Sequence, residues 1–343
     1  MKAAGGYSWM DRALHRLAFA TPTAQWGLAD LEARWFAREL DAAPESAPIY
    51  IAGLPRAGST MLHRLLASCP SLATHRLRDM PFVACPLLWR PFARRFERAA
   101  VPRERAHGDG IAVGPDSPEA LDEVLWAAER GSRAAEFAAM YARHRRKVVA
   151  LERRDRPQAC RYLAKNNALI ERLARLGEVA PDAVVVVPFR SASAQAASLL
   201  RQHLRFCELQ SRDPFARRYM LATGHREFGL DHVPPALPGV VAPRDAEALR
   251  SPTYWLDLWL AVYRALLAAT PAVRMVFVDF ERQAREQNLD ALAEALSLPA
   301  ADREVLRAAA ATALRPLTAE AASTVGAEWH AVEAELRARA DRR

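Results

Sequence analysis

PIYIAGLPRAGSTMLHRLLA, residues 48–67, decides how the rest of this 343-residue chain is read. Its apolar, β-branched start, Ile49-Tyr50-Ile51, predicts a buried strand. Gly53 and Gly58 then bracket four residues, and Thr60 to Ala67 reads as a helix. Strand, glycine-bracketed turn, hydroxyl residues and helix make the frame of a phosphate-binding loop, in which backbone N–H groups and a helix N-terminus hold an anion. The nucleoside-triphosphatase version needs a lysine directly after the second glycine, to reach the β- and γ-phosphates. Ser59 stands there instead. Arg56 and two hydroxyls replace the lysine, which suits a smaller terminal anion held without Mg²⁺.

Outward from this segment, three more strands are predicted: CRYLAKN (160–166), ending at Lys165, AVVVVPF (183–189) and VRMVFVDF (273–280). Helices fall between them. ALIERLARL (168–176) is read with Gly177 as its cap, another helix runs from Ser193 onward, and YWLDLWLAVYRALLAA (254–269) is amphipathic. Trp255 and Trp259, four apart in that helix, are read as core. Before the loop, residues 10–43 read as helical, with Leu28, Leu31, Trp35 and Leu40 at helical spacing. Ser117-Pro118-Glu119 has the composition of a helix start, the helix running to about residue 146 with a break near Gly131. Residues 71–116 and 208–250 read as loop-rich. Strands alternating with helices predict an α/β, P-loop-like, three-layer fold: a central parallel sheet, helices on both faces and a helical cap or insertion. The whole chain, 1–343, is read as one domain with a core of about 46–300, N-terminal helices at 10–43 and a C-terminal helical segment at 301–343.

Composition narrows the classes. Hydrophobic residues make up 51% of the chain, enough for a sizeable core. No run of about 20 apolar residues predicts a membrane span, and Asp11, Arg12, His15 and Arg16 stand where a signal peptide would be apolar. Four cysteines, Cys69, Cys85, Cys160 and Cys207, show no metal-type spacing. A reduced, cytoplasmic protein is expected. The formal charge of +8 suits an anionic ligand. Of 48 basic residues only Lys2, Lys147 and Lys165 are lysine, so an interior lysine points to a need for a compact, rotatable ammonium rather than a planar fork. The clusters Arg94-Arg95 and Arg143–Lys147 read as solvated faces or an anion's path.

The loop resembles the 5′-phosphosulfate loop of sulfotransferases that use 3′-phosphoadenosine-5′-phosphosulfate (PAPS), whose usual form is G-x-P-R-S-G-T-T. Ala57 and Ser59 replace its serine and first threonine. The family binds the 3′-phosphate with an arginine at a strand end and a serine eight residues later; Arg190 and Ser198 have that spacing, and the arginine fork matches phosphate. The family's Asp-Pro or Asn-Pro after the arginine is Ser191-Ala192 here. Lys165-Asn166-Asn167 is similar to the Lys-Asp-Pro or Lys-Asn-Pro of tyrosylprotein sulfotransferases and bacterial relatives, whose lysine reaches the bridging oxygen of the leaving group. FVDFERQAREQNLDALAEALSLP resembles the segment that closes the family's core. Together the resemblances span roughly residues 48–300.

The resemblance implies a PAPS-dependent sulfotransferase. The donor would be held by Pro55, Arg56, Ala57, Gly58, Ser59, Thr60 and Met61 with Arg190 and Ser198. Lys165 and Arg56 would stabilise charge in the transition state, and no metal is expected. A general base is also implied, a histidine or glutamate after the loop's helix. Asp79 and His75 are the candidates, Asp79 favoured, with His107 and Asp109 as another pair. The acceptor stays open among carbohydrate, lipid, peptide and small molecule; no nucleic-acid partner is expected, and oligomeric state is not readable. Two other readings stand beside it. A P-loop kinase or nucleotide hydrolase would need the missing lysine and an acid to hold Mg²⁺, and a non-catalytic protein could use the same fold only for binding.

Overall fold

The computed structural model describes residues 22–96, 103–104, 112–128, 134–317 and 325–342. His107, Asp109 and Gly131 lie outside them. Five strands form one sheet: β1 (Ile49–Ile51), β2 (Leu72–Ala73), β5 (Arg161–Lys165), β6 (Val184–Phe189) and β7 (Arg274–Asp279), in the order β2-β5-β1-β6-β7. Every pairing within it is parallel. The short β3 (Arg103–Glu104) and β4 (Ala112–Val113) form a separate antiparallel pair.

The all-parallel sheet follows from strands that are apolar on both sides. Along β1 and β6, Tyr50, Val185 and Val187 enter one core, while Ile49, Ile51, Val184 and Val186 enter a second core behind the sheet. The first core is closed by α6 (Ala134–Arg153), α8 (Ala192–Arg212), α10 (Pro252–Ala268) and α14 (Ala327–Asp341). The second is closed by α3 (Ser59–Leu66), α11 (Phe280–Glu286), α12 (Asp290–Ala295) and α13 (Ala300–Ala313). This is the three-layer α/β arrangement the sequence predicts. Trp255 and Trp259 are fully buried in the first core. The remaining helices are α1 (Pro22–Trp35), α2 (Ala37–Asp41), α4 (Pro86–Phe96), α5 (Asp122–Ala128), α7 (Leu173–Val179) and α9 (Pro214–Ala222). Among the described residues no helix is long and apolar enough to cross a membrane.

Several local expectations are corrected. Leu28, Leu31 and Trp35 lie on α1, as their helical spacing predicts, but are exposed, Trp35 at 73%, and the helix buries Ala29 and Glu32. Glu32 is stabilised there by Lys147 Nζ at 2.9 Å, which also donates to the carbonyls of Ala29 and Ala84. Lys147 and His144 are therefore interior, not part of a solvated face. Gly177 lies within α7 and Ala180 is the C-cap; a Cβ at Gly177 would come 3.0 Å from Ala272, so close packing accounts for the glycine. Ser117 does not cap a helix: its hydroxyl accepts from Gly114 N–H, and α5 begins at Asp122. Residues 208–250 are partly helical, because α8 continues to Arg212 and α9 follows.

Candidate active site

After β1 the chain runs to β2 at the sheet edge and back to β5 on one side, then crosses to β6 and β7 on the other. Ligands of open parallel sheets bind beyond the strands' carboxyl ends at such a reversal. The loop 53–58 leaves β1 at that place. Gly58 adopts φ +90°, and a Cβ there would fall 2.3 Å from the Phe280 ring, so conformation and space both require glycine. It is the N-cap of α3, whose first helical bond runs from Leu62 N to Gly58 O. The N–H groups of Ser59, Thr60 and Met61 thus lie ahead of the helical ladder at its positive end, the arrangement that holds a phosphate-like anion. Ala57 is fully buried, its methyl packed inside the protein.

Arg56 is held in the left-handed region at φ 67°, unusual for a residue with a side chain. Its Nε donates to Ser198 Oγ at 3.1 Å. The two phosphate motifs, 142 positions apart in the chain, are joined by this bond. Arg190 directly follows β6, and its Nε donates to Glu281 Oε1 at 3.3 Å. Glu281 also accepts from the N–H and hydroxyl of Ser191, so the start of α11 holds the start of α8.

Gln195 fastens this corner, and no sequence motif marks it. Fully buried, it donates from Nε2 to Leu54 O (3.1 Å) and Pro55 O (3.0 Å). Its Oε1 accepts from Arg190 N (3.2 Å), Trp259 Nε1 (3.1 Å) and Tyr263 OH (3.1 Å). One amide thereby fixes the loop to the strand end that carries Arg190.

Lys165 ends β5 opposite Ile51, only 9% exposed. Beyond it, Asn166 donates to Asp122 Oδ2 at 3.0 Å, and Asn167 N–H donates to Glu123 Oε1 at 3.3 Å. Glu123 Oε2 in turn lies 2.9 Å from His225 Nδ1, and Glu227 Oε2 lies 3.6 Å from the same atom. Burial works against charge on His225, but the charges and hydrogen bonds of Glu123 and Glu227 outweigh it and hold the imidazole well above its usual range. Glu227 is pulled down to about 2 against its own desolvation, chiefly by His225 and also by the charge of Lys165.

Asp79 and His75 do meet, with His75 Nδ1 2.9 Å from Asp79 Oδ2. Both are buried, however, and closed in. Asp79 also accepts from Arg90 Nε and Nη2 and from Arg76 N–H, while His75 Nε2 faces His144 Nε2 at 2.8 Å. Glu152 binds Arg76, Arg90 and Arg156 in the same cluster. Desolvation alone would raise the Asp79 carboxyl, yet His75 and Arg90 hold it below its usual range. Both Asp79 oxygens are thus committed to partners within this cluster.

The model of the Sulfotransferase family matches residues 48–228, more than half of the chain and the span that carries both phosphate motifs and Lys165. The chain belongs to the sulfotransferase family. No curated relative gives a significant match. Among solved structures, it is similar to the sulfotransferase STF1 of Mycobacterium tuberculosis H37Rv at 16% identity, over 99% of this chain and 88% of that one, with a TM-score of 0.46. Sulfotransferase STF9 of Mycobacterium avium shares 15% identity over 90% and 80% of the two chains, with a TM-score of 0.44. The sulfotransferase domain of the Synechococcus PCC 7002 olefin synthase shares 15% identity over 87% and 96%, with a TM-score of 0.35.

Proposed function

We propose that this sulfotransferase takes its sulfuryl group from PAPS and passes it to a hydroxyl or amine of an acceptor. The observation that carries the reading is the Arg56–Ser198 bond, which puts the two phosphate motifs on one corner of the sheet. In this reading the N–H groups at the start of α3, with Arg56, Ser59 and Thr60, hold the 5′-phosphosulfate end. Arg190 and Ser198 hold the 3′-phosphate. Arg56, bonded to Ser198, links the two ends. Lys165, nearly dry at the end of β5, supplies a compact positive charge to the bridging oxygen as the bond to sulfur breaks. Positioning provides much of the remaining acceleration.

The test is thermal unfolding with adenosine 3′,5′-bisphosphate, the desulfated donor, against ATP with Mg²⁺. At 100 times its dissociation constant a ligand adds about 2.7 kcal/mol. Arg190→Ala should weaken the bisphosphate roughly 10- to 100-fold, the loss of about 1.5–3 kcal/mol for a charge-assisted hydrogen bond. Stabilisation by ATP and Mg²⁺ alone would overturn the donor assignment and favour a kinase.

A further inference from the structure

His225 has the surroundings of a general base, outside every motif described above. Its Nδ1 is held by the buried Glu123 at 2.9 Å, and the other Glu123 oxygen is fixed by Asn167 N–H. Among the described residues Nε2 has no partner, and the side chain is 30% exposed. A fixed carboxylate on one ring nitrogen and an open second nitrogen is the acid–histidine arrangement that aims a base. The place is also right. Asn167 follows Lys165 by two residues, Lys165 lies beside the strand that feeds the phosphate loop, and the Lys165 charge reaches Glu227 next to the ring.

We propose that His225 takes the acceptor's proton, with Glu123 as its positioning residue, so that acceptors bind between Lys165 and His225 over the end of β5. The proposal rests on the sulfuryl-transfer reading. In the step, the acceptor oxygen forms its bond to sulfur as the bond from sulfur to the bridging oxygen breaks. That electron pair leaves on the bisphosphate beside Lys165, and the acceptor's proton moves to Nε2 and then to solvent. The charged groups facing the ring are Glu123 from α5, Glu227 from its own loop and Lys165 acting through Glu227. Because the carboxylates favour the imidazolium, the ring must first lose a proton, and turnover rises with pH above histidine's usual value of about 6.5.

Two measurements on the full chain decide it. In the first, ¹³C-labelled histidines are titrated by NMR with and without adenosine 3′,5′-bisphosphate. The bound anion is expected to move the His225 midpoint upward. In the second, bisphosphate release from PAPS is followed with water as acceptor. His225→Gln is expected to lower it at least 100-fold, within the range of about 10²–10⁴ for general-base catalysis, while bisphosphate affinity, compared at a pH above the His225 midpoint where the ring is neutral, changes less than twofold. Glu123→Gln is expected to move the rising limb of the pH profile to lower pH, which a merely structural role would not do. A bound bisphosphate that leaves the His225 titration unchanged overturns the proposal and leaves the donor reading intact. Failure of the wild-type chain to bind bisphosphate overturns both. Where release by water is too slow to follow, the titration alone decides.

Discussion

Gln195→Leu tests whether one amide holds together the corner proposed to bind the donor. The replacement keeps nearly the same volume, so the change is in polarity. Tyr263 OH keeps Pro188 O at 3.0 Å, and the half-buried Pro55 carbonyl can turn to water. Three buried groups lose the hydrogen bond that Gln195 gives them: Arg190 N–H, Trp259 Nε1–H and the Leu54 carbonyl. An orphaned buried group costs about 1–3 kcal/mol. With neighbours relaxing, the lower half of that range gives roughly 4 kcal/mol in all. Unfolding entropy of about 2.1 cal/mol/K per residue amounts to about 0.7 kcal/mol/K for a chain of this length, so the midpoint should fall by about 6 °C. Differential scanning calorimetry reads this directly. Gln195→Glu separates the two halves of the clamp: it keeps the acceptor for Arg190 and Trp259 but presents oxygen to the loop carbonyls. Bisphosphate affinity should then fall tenfold or more, measured by isothermal titration. A Gln195→Leu midpoint within 1 °C of wild type would refute the clamp.

Gly58→Ala should cost about 2–5 kcal/mol, from a left-handed backbone and overpacking against Phe280, and Phe280→Leu should recover part of it; melting of the single and double variants is the check. Asp79→Asn should destabilise by about 3–5 kcal/mol, because it uncouples the buried Arg90 and His75, while bisphosphate affinity in the folded protein stays within twofold. Asp79 and Glu152 are both held below their unfolded values, so the stability they confer is present above about pH 4.3 and is lost as pH falls through their folded values. The wild-type midpoint should therefore drop on acidification below that pH, with a shallower slope in Asp79→Asn. Ala192→Pro restores a proline of the family pattern at a helix start whose preceding residue is already extended, yet it removes the N–H given to Glu333 at 2.7 Å. It should cost about 1.5–3 kcal/mol, a midpoint lower by roughly 2–4 °C.

The strands and the turn that follows β1 were legible because their signals are local. The parallel strands are continuous apolar runs, and Gly53 to Thr60 is one contiguous turn. Gln195, Glu281, Glu123 and His225 carry no such signal. Each acts on a residue brought in from another element, and only folding pairs them. Local patterning also pointed the wrong way where polar groups are interior. The Leu28–Leu31–Trp35 spacing hid the Glu32–Lys147 pair on the buried side of α1. The ion pair that Arg90, arriving on α4, makes with Asp79 was equally invisible in the sequence around Asp79.

The two prolines missing from the family pattern have a common physical counterpart. The resemblance leads one to expect proline at 167 and at 192. Asn167 gives its N–H to Glu123, and Ala192 gives its N–H to Glu333, both buried carboxylates. A proline at either position would have no proton to give. A rigid turn has thus been exchanged for an N–H that orients a glutamate. At 192 the exchange ties α8 to α14. At 167 it fixes the carboxylate that holds His225, so the residue that breaks the expected motif beside Lys165 is the one that aims the proposed base.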